Sequence, residues 1–327
     1  MRRLGAGFLL ALAAVLAGAA TWSWLSYDAP GPLAAATTVV IPKSAHLAAI
    51  ADELGRAGVI AHPWAFVAGA YVSREAKSFR AGEYEFAAAI SPREAARLIQ
   101  SGRVVQHRLT LPEGLTSAEA AALIDAAPAL DGAIGAPPPE GSLLPDTYFY
   151  VLGTRRSELV ARMQHALDRA LAAAWQHRAS DLPFDDPKDA LVLASIVEKE
   201  TAIPDERARI AGVYAERLRI GMRLQADPTV IYALTAGGRT PLAHPLDHDD
   251  LAVESPYNTY LDKGLPPTPI DNPGLASIAA AMAPETRGEL YFVADGTGHH
   301  SFAKTLDEQN RHVAELRRQQ HGESGAE

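Results

Sequence analysis

The chain of 327 residues is long enough for one large or two smaller domains, and its formal net charge is −9. It has no basic stripe and no interleaving of basic with aromatic residues, so nucleic acid is not expected as a partner. The absence of cysteine excludes disulfides, thiol catalysis and thiolate metal sites. Cysteine-free chains occur in both the cytosol and the periplasm, so composition leaves the compartment open.

The N-terminal segment predicts a single membrane-spanning helix. Residues 1–3 contain two arginines, and residues 4–27 carry no charge, which is long enough to cross a bilayer. A cleaved signal peptide with a processing site at residues 17–19 is the alternative. The apolar run continues past that site and ends in aromatic residues typical of a membrane interface, namely Trp22, Trp24 and Tyr27. This favours an uncleaved anchor with residues 1–3 in the cytoplasm.

Residues 28–36 contain two prolines and are predicted to be a linker. They lead into a small α/β module at residues 37–106. Its predicted elements are a strand at 37–41, a helix at 46–57 capped by Ser44, a short helix at 63–71, a strand at 82–86 and a helix beginning at the capping box 91–94. The module has no cluster of catalytic residue types, so it is interpreted as a binding or spacing module.

Residues 107–319 are predicted to form a mixed α+β domain, followed by a disordered tail at 320–327. The predicted strands lie at 104–111, 147–152 and 290–293, and the main predicted helices lie at 157–177, 186–200, 204–220, 277–282 and 305–319. The last third is rich in loops with Tyr, Asn, Thr and Pro, a composition typical of a binding cleft on a rigid frame.

The helix at residues 186–200 carries the candidate chemistry. From Ala190 to Val197 only Ser195 is polar, so most of this helix is predicted to be buried. It ends in Glu198 and Glu200, which lie about 200° apart around the helix axis and cannot face the same cleft.

Glu200 continues the bulkier apolar row of the helix, so burial is expected to raise its pKa. A carboxylic acid that stays protonated near pH 7 is what general acid catalysis requires. The alternative is that both Glu198 and Glu200 are solvated residues at a helix end, and spacing alone leaves that choice open.

Three other kinds of site are less well supported. A metal site would use the residues His244, Asp247, His248, Asp249 and Asp250. Nearby prolines favour a loop there, and no H-E-x-x-H motif is present, so no catalytic metal is expected. The chain has no G-x-S-x-G motif for a serine triad, and Gly296-Thr297-Gly298 lacks the lysine of a phosphate loop. A carbohydrate cleft served by a carboxylic acid fits the C-terminal half best.

Several long motifs carry a family resemblance. They are ASIVEKET at 194–201, RLRIGMRLQADPTVIY at 217–232, YNTY at 257–260, GLPP at 264–267 and FVADG at 292–296. Together they resemble the YceG-like family of endolytic murein transglycosylases, over nearly the whole chain. The sequence departs from the common family pattern at Thr268 and Gln309.

The resemblance implies a lyase that is anchored in the inner membrane by one helix, with a LysM-like module at 37–106 and its catalytic domain in the periplasm. It would cut the bond between N-acetylmuramic acid and N-acetylglucosamine inside nascent peptidoglycan strands, leave a 1,6-anhydro end and so terminate elongation. No cofactor is implied, and peptidoglycan synthases are implied as partners. The rival hypotheses are a non-catalytic peptidoglycan-binding scaffold for synthases and a muramidase-type hydrolase.

The resemblance places the catalytic glutamate at Glu200, in agreement with the helical-face argument, and leaves Glu198 as a natural control. The candidates for holding the sugars are Gln225, Asp227, Tyr257, Asn258, Tyr260 and His300. For each of these residues, a purely local structural role in its loop is the alternative.

Overall fold

The computed structural model describes residues 2–74 and 78–323, and the side chains of residues 11–74 and 78–319. The chain forms two compact units. One comprises Met1–His107 with Phe149–Thr154, and the other comprises Arg108–Tyr148 with Arg155–Glu327. Both contain helices and strands, so the predicted mixed α+β class is confirmed.

The first unit is a two-stranded antiparallel sheet covered by helices. Its elements are α1 (Arg2–Asp28), β1 (Thr37–Ile41), α2 (Leu47–Arg56), α3 (Pro63–Val72), β2 (Gly82–Phe86) and α4 (Pro92–Ser101). Val39 pairs with Tyr84 at the middle of the β1–β2 register, and both side chains are buried in the core. The predicted order of strand, helix, helix, strand and helix after residue 36 is therefore confirmed.

The N-termini of helices α4 and α2 are stabilised in different ways. α4 begins with the predicted capping box, in which Ser91 and Glu94 satisfy each other's backbone N–H groups. The predicted Ser44 cap is wrong, because α2 starts at Leu47 with His46 as its N-cap. In the described structure no side chain of the N-cap residue bonds the first turn of α2. The apolar row of α2, buried at Ile50 and Leu54, is enough to fix this helix.

The predicted membrane-spanning segment, residues 4–27, falls within α1. The side chains of residues 2–10 lie outside the described residues, and in the part that is described no helix is both long and apolar enough to span a membrane. Tyr27, predicted to face a membrane interface, is instead fully buried in the core of the first unit. Its ring lies where a side chain on Gly69 of α3 would clash, so the end of α1 packs closely on α3.

The remaining elements begin at the boundary between the units. They are β3 (His107–Thr110), α5 (Ser117–Ala126), β4 (Leu130–Asp131), β5 (Thr147–Tyr150), β6 (Thr154–Arg155), α6 (Arg156–Gln176), α7 (Pro187–Glu200), α8 (Arg207–Arg219), α9 (Asp227–Leu234), α10 (Leu275–Met282), β7 (Tyr291–Ala294), β8 (His300–Ala303) and α11 (Leu306–Glu323). The strands pair as β3 with β5, β4 with β6 and β7 with β8.

Helix α7 is the centre of the second unit and packs against α6, α8, α9 and α10. Every residue from Ala190 to Val197 is buried, as predicted. The one polar side chain in that stretch, Ser195, is satisfied: its hydroxyl donates to the carbonyl oxygen of Val192 at 2.8 Å and accepts from the N–H of Ile270 at 3.0 Å. The body of α7 therefore holds its C-terminal end in a fixed place.

Several short elements of the second unit were not predicted, among them α9 and β8. α9 begins at Asp227 with Pro228 in its first turn, and β8 pairs with β7 where a loop was expected. Both are short, and their polar residues hide the apolar periodicity that prediction depends on. α11 also continues to Glu323, so the first half of the predicted disordered tail is helical, while residues 324–327 lie outside the described residues.

Candidate active site

The two carboxyl groups at the end of α7 point into different surroundings. Glu198 accepts a hydrogen bond from the backbone N–H of Gly274 at 3.0 Å and lies 3.9 Å from the guanidinium of Arg207. Glu200 accepts a hydrogen bond from the phenol hydroxyl of Tyr214 at 2.5 Å. The predicted divergence of the two side chains around the helix is confirmed.

Glu200 is the carboxyl with the strongly perturbed acidity. Burial raises its pKa to about 7, and the negative charge of Asp227 adds to that rise. The hydrogen bond from Tyr214 and the charge of Arg217 act in the opposite direction and favour the carboxylate. Desolvation has the largest effect, so the rise expected from the apolar row of α7 is found. Near neutral pH this group is balanced between acid and base.

A cavity of about 280 Å³ opens in front of Glu200. Its lining residues are Glu200, Tyr214, Arg217, Gln225, Asp227, Tyr260, Phe292, Val293, Ala294 and His300. Five of the seven predicted site residues are thus brought together from α7, the start of α9, the loop at 260 and β8. Residues from such distant points of the chain converge because α8 and α9 both pack on α7, and β7, the partner of β8, packs on α8.

Tyr214 and Arg217 of α8 are site residues that the sequence reasoning missed. They lie three positions apart, so they share one face of α8. Arg217 is buried, donating from Nε to the carbonyl of Leu290 at 2.7 Å and from Nη1 to the carbonyl of Leu224. Burial lowers the pKa of Arg217. Tyr214 is fully buried, and burial and the neighbouring Glu200 raise its pKa well above the usual value, so it acts only as a hydrogen-bond donor.

Asp227 and Tyr260 form a pair at the mouth of the cavity. The Tyr260 hydroxyl donates to Oδ1 of Asp227, and burial together with this bond raises the pKa of Tyr260. Asp227 is itself exposed and is the first residue of α9. The helix dipole and the phenol both stabilise its negative charge there. Asp227 gives the cavity a second carboxyl group.

Gln225 stands in a strained backbone conformation beside that pair. Its φ is +51°, in the left-handed region that residues other than glycine seldom adopt. Its backbone N–H donates to the carbonyl of Thr259 at 3.0 Å, which holds the conformation. Its side chain is exposed and makes no hydrogen bond to the residues that the structure describes. Such strain is often kept where a side chain must be presented to a ligand.

Two predicted site residues play local roles instead of facing the cavity. Asn258 is fully buried, and its amide donates to the carbonyls of Leu251 and Val253 and accepts from the N–H of Tyr260 at 2.9 Å. Tyr257 lies outside the lining of the cavity among the described residues and shares a 2.8 Å hydrogen bond with Thr268. Asn258 therefore shapes the turn that presents Tyr260, which is the structural alternative considered for it.

His300 is held on the opposite wall by Glu206. Its Nδ1 lies 2.6 Å from Oε2 of Glu206, and its backbone N–H donates to the other oxygen at 3.1 Å. Burial alone would raise the pKa of Glu206, but these bonds and a further one from His299 outweigh it and lower that pKa. Glu206 is thus an ionised anchor that fixes the imidazole of His300.

The two departures from the family pattern fall beside this site. Thr268 is the hydrogen-bond partner of Tyr257, and Gln309 donates from Nε2 to the carbonyl of Phe292 at 3.0 Å. Phe292 lines the cavity, so Gln309 supports its wall from outside. Both substitutions are accommodated without a group pointing toward Glu200.

Part of the acidic loop considered as a metal site does come together. The ligand atoms of His244, Asp247 and Asp250 lie within 4.8 Å of one another. His244 and Asp247 are exposed, and the two aspartates are occupied in bonding backbone N–H groups of the same loop. None of the three lines the cavity at Glu200 as the structure describes it.

Glu200, a buried carboxyl with a pKa of about 7, lies at a polar cavity in an α+β domain built around α7. Such a site is suited to general acid catalysis of bond cleavage. The YceG-like family model matches residues 39–315, most of the chain, and the chain belongs to that family. A crystal structure of a YceG-like protein from Listeria monocytogenes matches with a TM-score of 0.52 and 30% identity, covering 84% of this chain and 98% of that chain.

Curated relatives carry a more specific description. A protein of Bacillus subtilis (strain 168) named endolytic murein transglycosylase is 42% identical over 121 residues, which is 37% of this chain and 32% of the relative. One of the same name from Streptococcus pneumoniae (strain ATCC BAA-255 / R6) is 35% identical over 179 residues, which is 54% of this chain and 32% of the relative. The aligned segment spans about a third of the length of these relatives.

Proposed function

We propose that the chain is an endolytic lytic transglycosylase that cleaves the glycan strands of peptidoglycan. The observation that carries this proposal is the Glu200 carboxyl, which has a pKa of about 7, ends a buried helix and is open to a cavity. The family membership and the name shared by the relatives support the same reaction class.

In the proposed mechanism Glu200 acts first as acid and then as base. The protonated carboxyl donates its proton to the oxygen that bridges N-acetylmuramic acid and N-acetylglucosamine, and that bond to C1 breaks. The carboxylate then takes the proton from the C6 hydroxyl of the same muramic residue, whose oxygen bonds to C1. The products are a 1,6-anhydro end and a free sugar hydroxyl, and no water is consumed. A pKa near 7 suits both steps equally.

The other cavity residues have supporting tasks in this proposal. Asp227, hydrogen-bonded to Tyr260, stabilises the positive charge that develops at C1. Gln225 offers a free amide to the sugar, and His300, whose Nδ1 is held by Glu206, offers its other ring nitrogen. Tyr214 orients the Glu200 carboxyl. Tyr257 and Asn258 lie outside the lining of the cavity and have no sugar contact in this proposal.

A muramidase-type hydrolase is the second candidate, and one observation favours it. Asp227 places a second carboxyl group in the same cavity as Glu200, and a pair of carboxyls is what hydrolases use. In that reaction water, not the C6 hydroxyl, would bond to C1, and Asp227 would be essential.

Three further parts of the proposal rest on the sequence. The uncharged stretch at 4–27 behind two arginines supports anchoring in the inner membrane, with the cavity in the periplasm. The β1–α2–α3–β2 order supports a LysM-like module that binds glycan or spaces the cavity from the membrane. Peptidoglycan synthases are proposed as partners because the strands cut would be nascent ones.

The test is a digest of purified, uncrosslinked glycan strands by the full chain in isotope-labelled water, analysed by mass spectrometry. The proposal expects internal cuts that carry anhydro ends and no label. Products heavier by one labelled water would identify the hydrolase, and strands bound without new ends would identify a scaffold. Glu200→Gln, which keeps a hydrogen-bond acceptor for Tyr214, should release no anhydro product.

A further inference from the structure

Helix α3 is apolar on every side although it lies at the surface of the first unit. None of its residues from Pro63 to Val72 carries a charge. A helix with apolar residues around its whole circumference is ordinarily enclosed in a core or placed in lipid. Only one side of α3 is enclosed. Its residues Phe66, Gly69 and Ala70 lie on that side and are buried against the rest of the unit.

The opposite side of α3 forms a continuous apolar stripe. Trp64 is 52% exposed, Tyr71 67% and Val72 69%. Val67 and Ala68 lie between them and are half-buried. The spacing of these five residues is the one that places side chains on a single helical face. We call this face, at 64, 67, 68, 71 and 72, the α3 stripe. Soluble surfaces seldom show such a contiguous apolar patch without a binding role.

The α3 stripe continues onto α1. The indole of Trp22 stacks on that of Trp64, with ring centroids 5.0 Å apart, and Trp22 is itself 45% exposed. Leu25, one turn further on, is also exposed. From Ala11 to Tyr27 the described part of α1 has no charged residue. The apolar surface therefore runs from α3 along a helix whose own sequence is uncharged.

We propose that the α3 stripe seats the first unit on a lipid bilayer, with Trp64 and Tyr71 at the level of the headgroups. Tryptophan and tyrosine prefer that interface because each has an apolar body and one polar atom. Arg74, exposed directly after the stripe, is placed to meet anionic headgroups. A lipid occupant is favoured over a protein one because the stripe continues onto the uncharged α1, with the exposed ring of His62 packed beside the join. This inference does not depend on the reaction proposed above.

The test uses the four tryptophans of the chain. In a full-length variant with Trp22, Trp24 and Trp175 replaced by phenylalanine, Trp64 is the only tryptophan fluorophore. Vesicles of phosphatidylethanolamine and phosphatidylglycerol are prepared with bromine either near the headgroup or near the chain end. Trp64 should be quenched at least twofold more by the shallow bromine than by the deep one. A matched variant that keeps only Trp175, in α6, should show no such quenching.

Two substitutions make the result specific to the stripe. Tyr71→Glu puts a charge on an exposed position of the stripe and should reduce Trp64 quenching at least twofold, while the circular dichroism of the protein stays unchanged. Val72→Ser should act in the same direction. Ile220→Glu, at an exposed apolar position of the second unit, should have no effect. Trp64 fluorescence insensitive to brominated vesicles would overturn the proposal, as would a Trp64 signal that responds only to protein concentration or to added glycan.

Discussion

The C-terminal end of α7 places two carboxyl groups, only two residues apart, in different surroundings, and the pKa of one of them, Glu200, is raised to about 7. On one side Glu198 meets a backbone N–H at the start of α10 and a guanidinium at 3.9 Å. On the other side Glu200 meets a phenol hydroxyl and a wall of apolar residues. Both carboxyls are shielded from water to a large degree, so burial alone does not distinguish them.

The difference lies in the partners. Glu198 accepts a hydrogen bond from a backbone N–H and has a guanidinium nearby. Burial is the main cause of the raised pKa of Glu200, and the negative charge of Asp227 adds to it, so the proton is retained up to a pH of about 7 although the hydrogen bond from Tyr214 acts against this. A carboxyl at a helix end has a raised pKa when it continues the buried apolar row of the helix and no cation pairs with it directly.

The largest expected difference between the two carboxyls is in rate. Glu200→Gln should lower the turnover of glycan strands by about 10²–10⁴-fold, the usual contribution of general acid–base catalysis. Glu198→Gln keeps an acceptor for the N–H of Gly274 and should stay within about twofold of the parent protein, since uncritical polar changes have small effects. Initial rates of new end formation measure both. Equal losses in the two variants would contradict the assignment of the acid to Glu200.

Removing the other carboxyl should affect folding more than rate. Glu198→Ala deletes the acceptor at the start of α10 and takes away the nearest anion of Arg207, whose buried Nε has no hydrogen-bond partner in the described structure. The free energy of unfolding should fall by about 2–3 kcal/mol. Urea denaturation gives the value, and the rate per folded molecule should be unchanged. An Ala variant as stable as the parent would show that Glu198 is not a structural anchor.

Glu200→Gln should instead stabilise the fold, and only at high pH. The folded pKa of about 7 lies above the unfolded value of 4.5, so the folded state binds the proton more tightly. The parent protein therefore loses stability as the pH rises from about 4.5 through 7. Glutamine does not titrate, so the variant should be more stable than the parent by about 3 kcal/mol at pH 9, and the difference should shrink toward pH 5. A constant difference across this range would contradict a raised pKa.

The raised pKa of Glu200 could be predicted from the sequence because the geometry of a single helix depends only on residues close together in the chain. The apolar row of α7 and the divergence of Glu198 from Glu200 follow from 3.6 residues per turn, and the capping box at Ser91 follows from spacing alone. The residues around the acid depend on tertiary packing. Tyr214 comes from another helix whose rotation the sequence does not fix.

The loops were harder to predict than the helices. YNTY at 257–260 is visibly a polar and aromatic cluster, but which of its side chains faces the cavity is set by the turn that buried Asn258 stabilises. Tyr257 consequently points away and Tyr260 points in. The position of the Gln225 side chain depends on a backbone φ of +51°, a conformation that glutamine seldom adopts and that the sequence does not predict. These positions could be found only from a structure.

The smallest expected effects are shifts in the pH dependence of kcat/KM. They test most directly how Tyr214 and Asp227 change the pKa of Glu200. The parent protein should lose kcat/KM as the pH rises above about 7, because the acid form of Glu200 is required. Tyr214→Phe removes a hydrogen bond that favours the carboxylate, so its alkaline limb should move to higher pH. Asp227→Asn removes a negative charge that favours the acid, so its alkaline limb should move to lower pH.

The absolute rates of these two variants will fall for other reasons, since both side chains line the cavity. The position of the limb on the pH axis is independent of those losses and reports the acidity of Glu200 alone. Shifts of opposite sign would show that the titrating group lies between a hydroxyl donor and an anion, as Glu200 does and Glu198 does not. A limb that stays in place in both variants would assign the titration to another group, and with it the acid of the reaction.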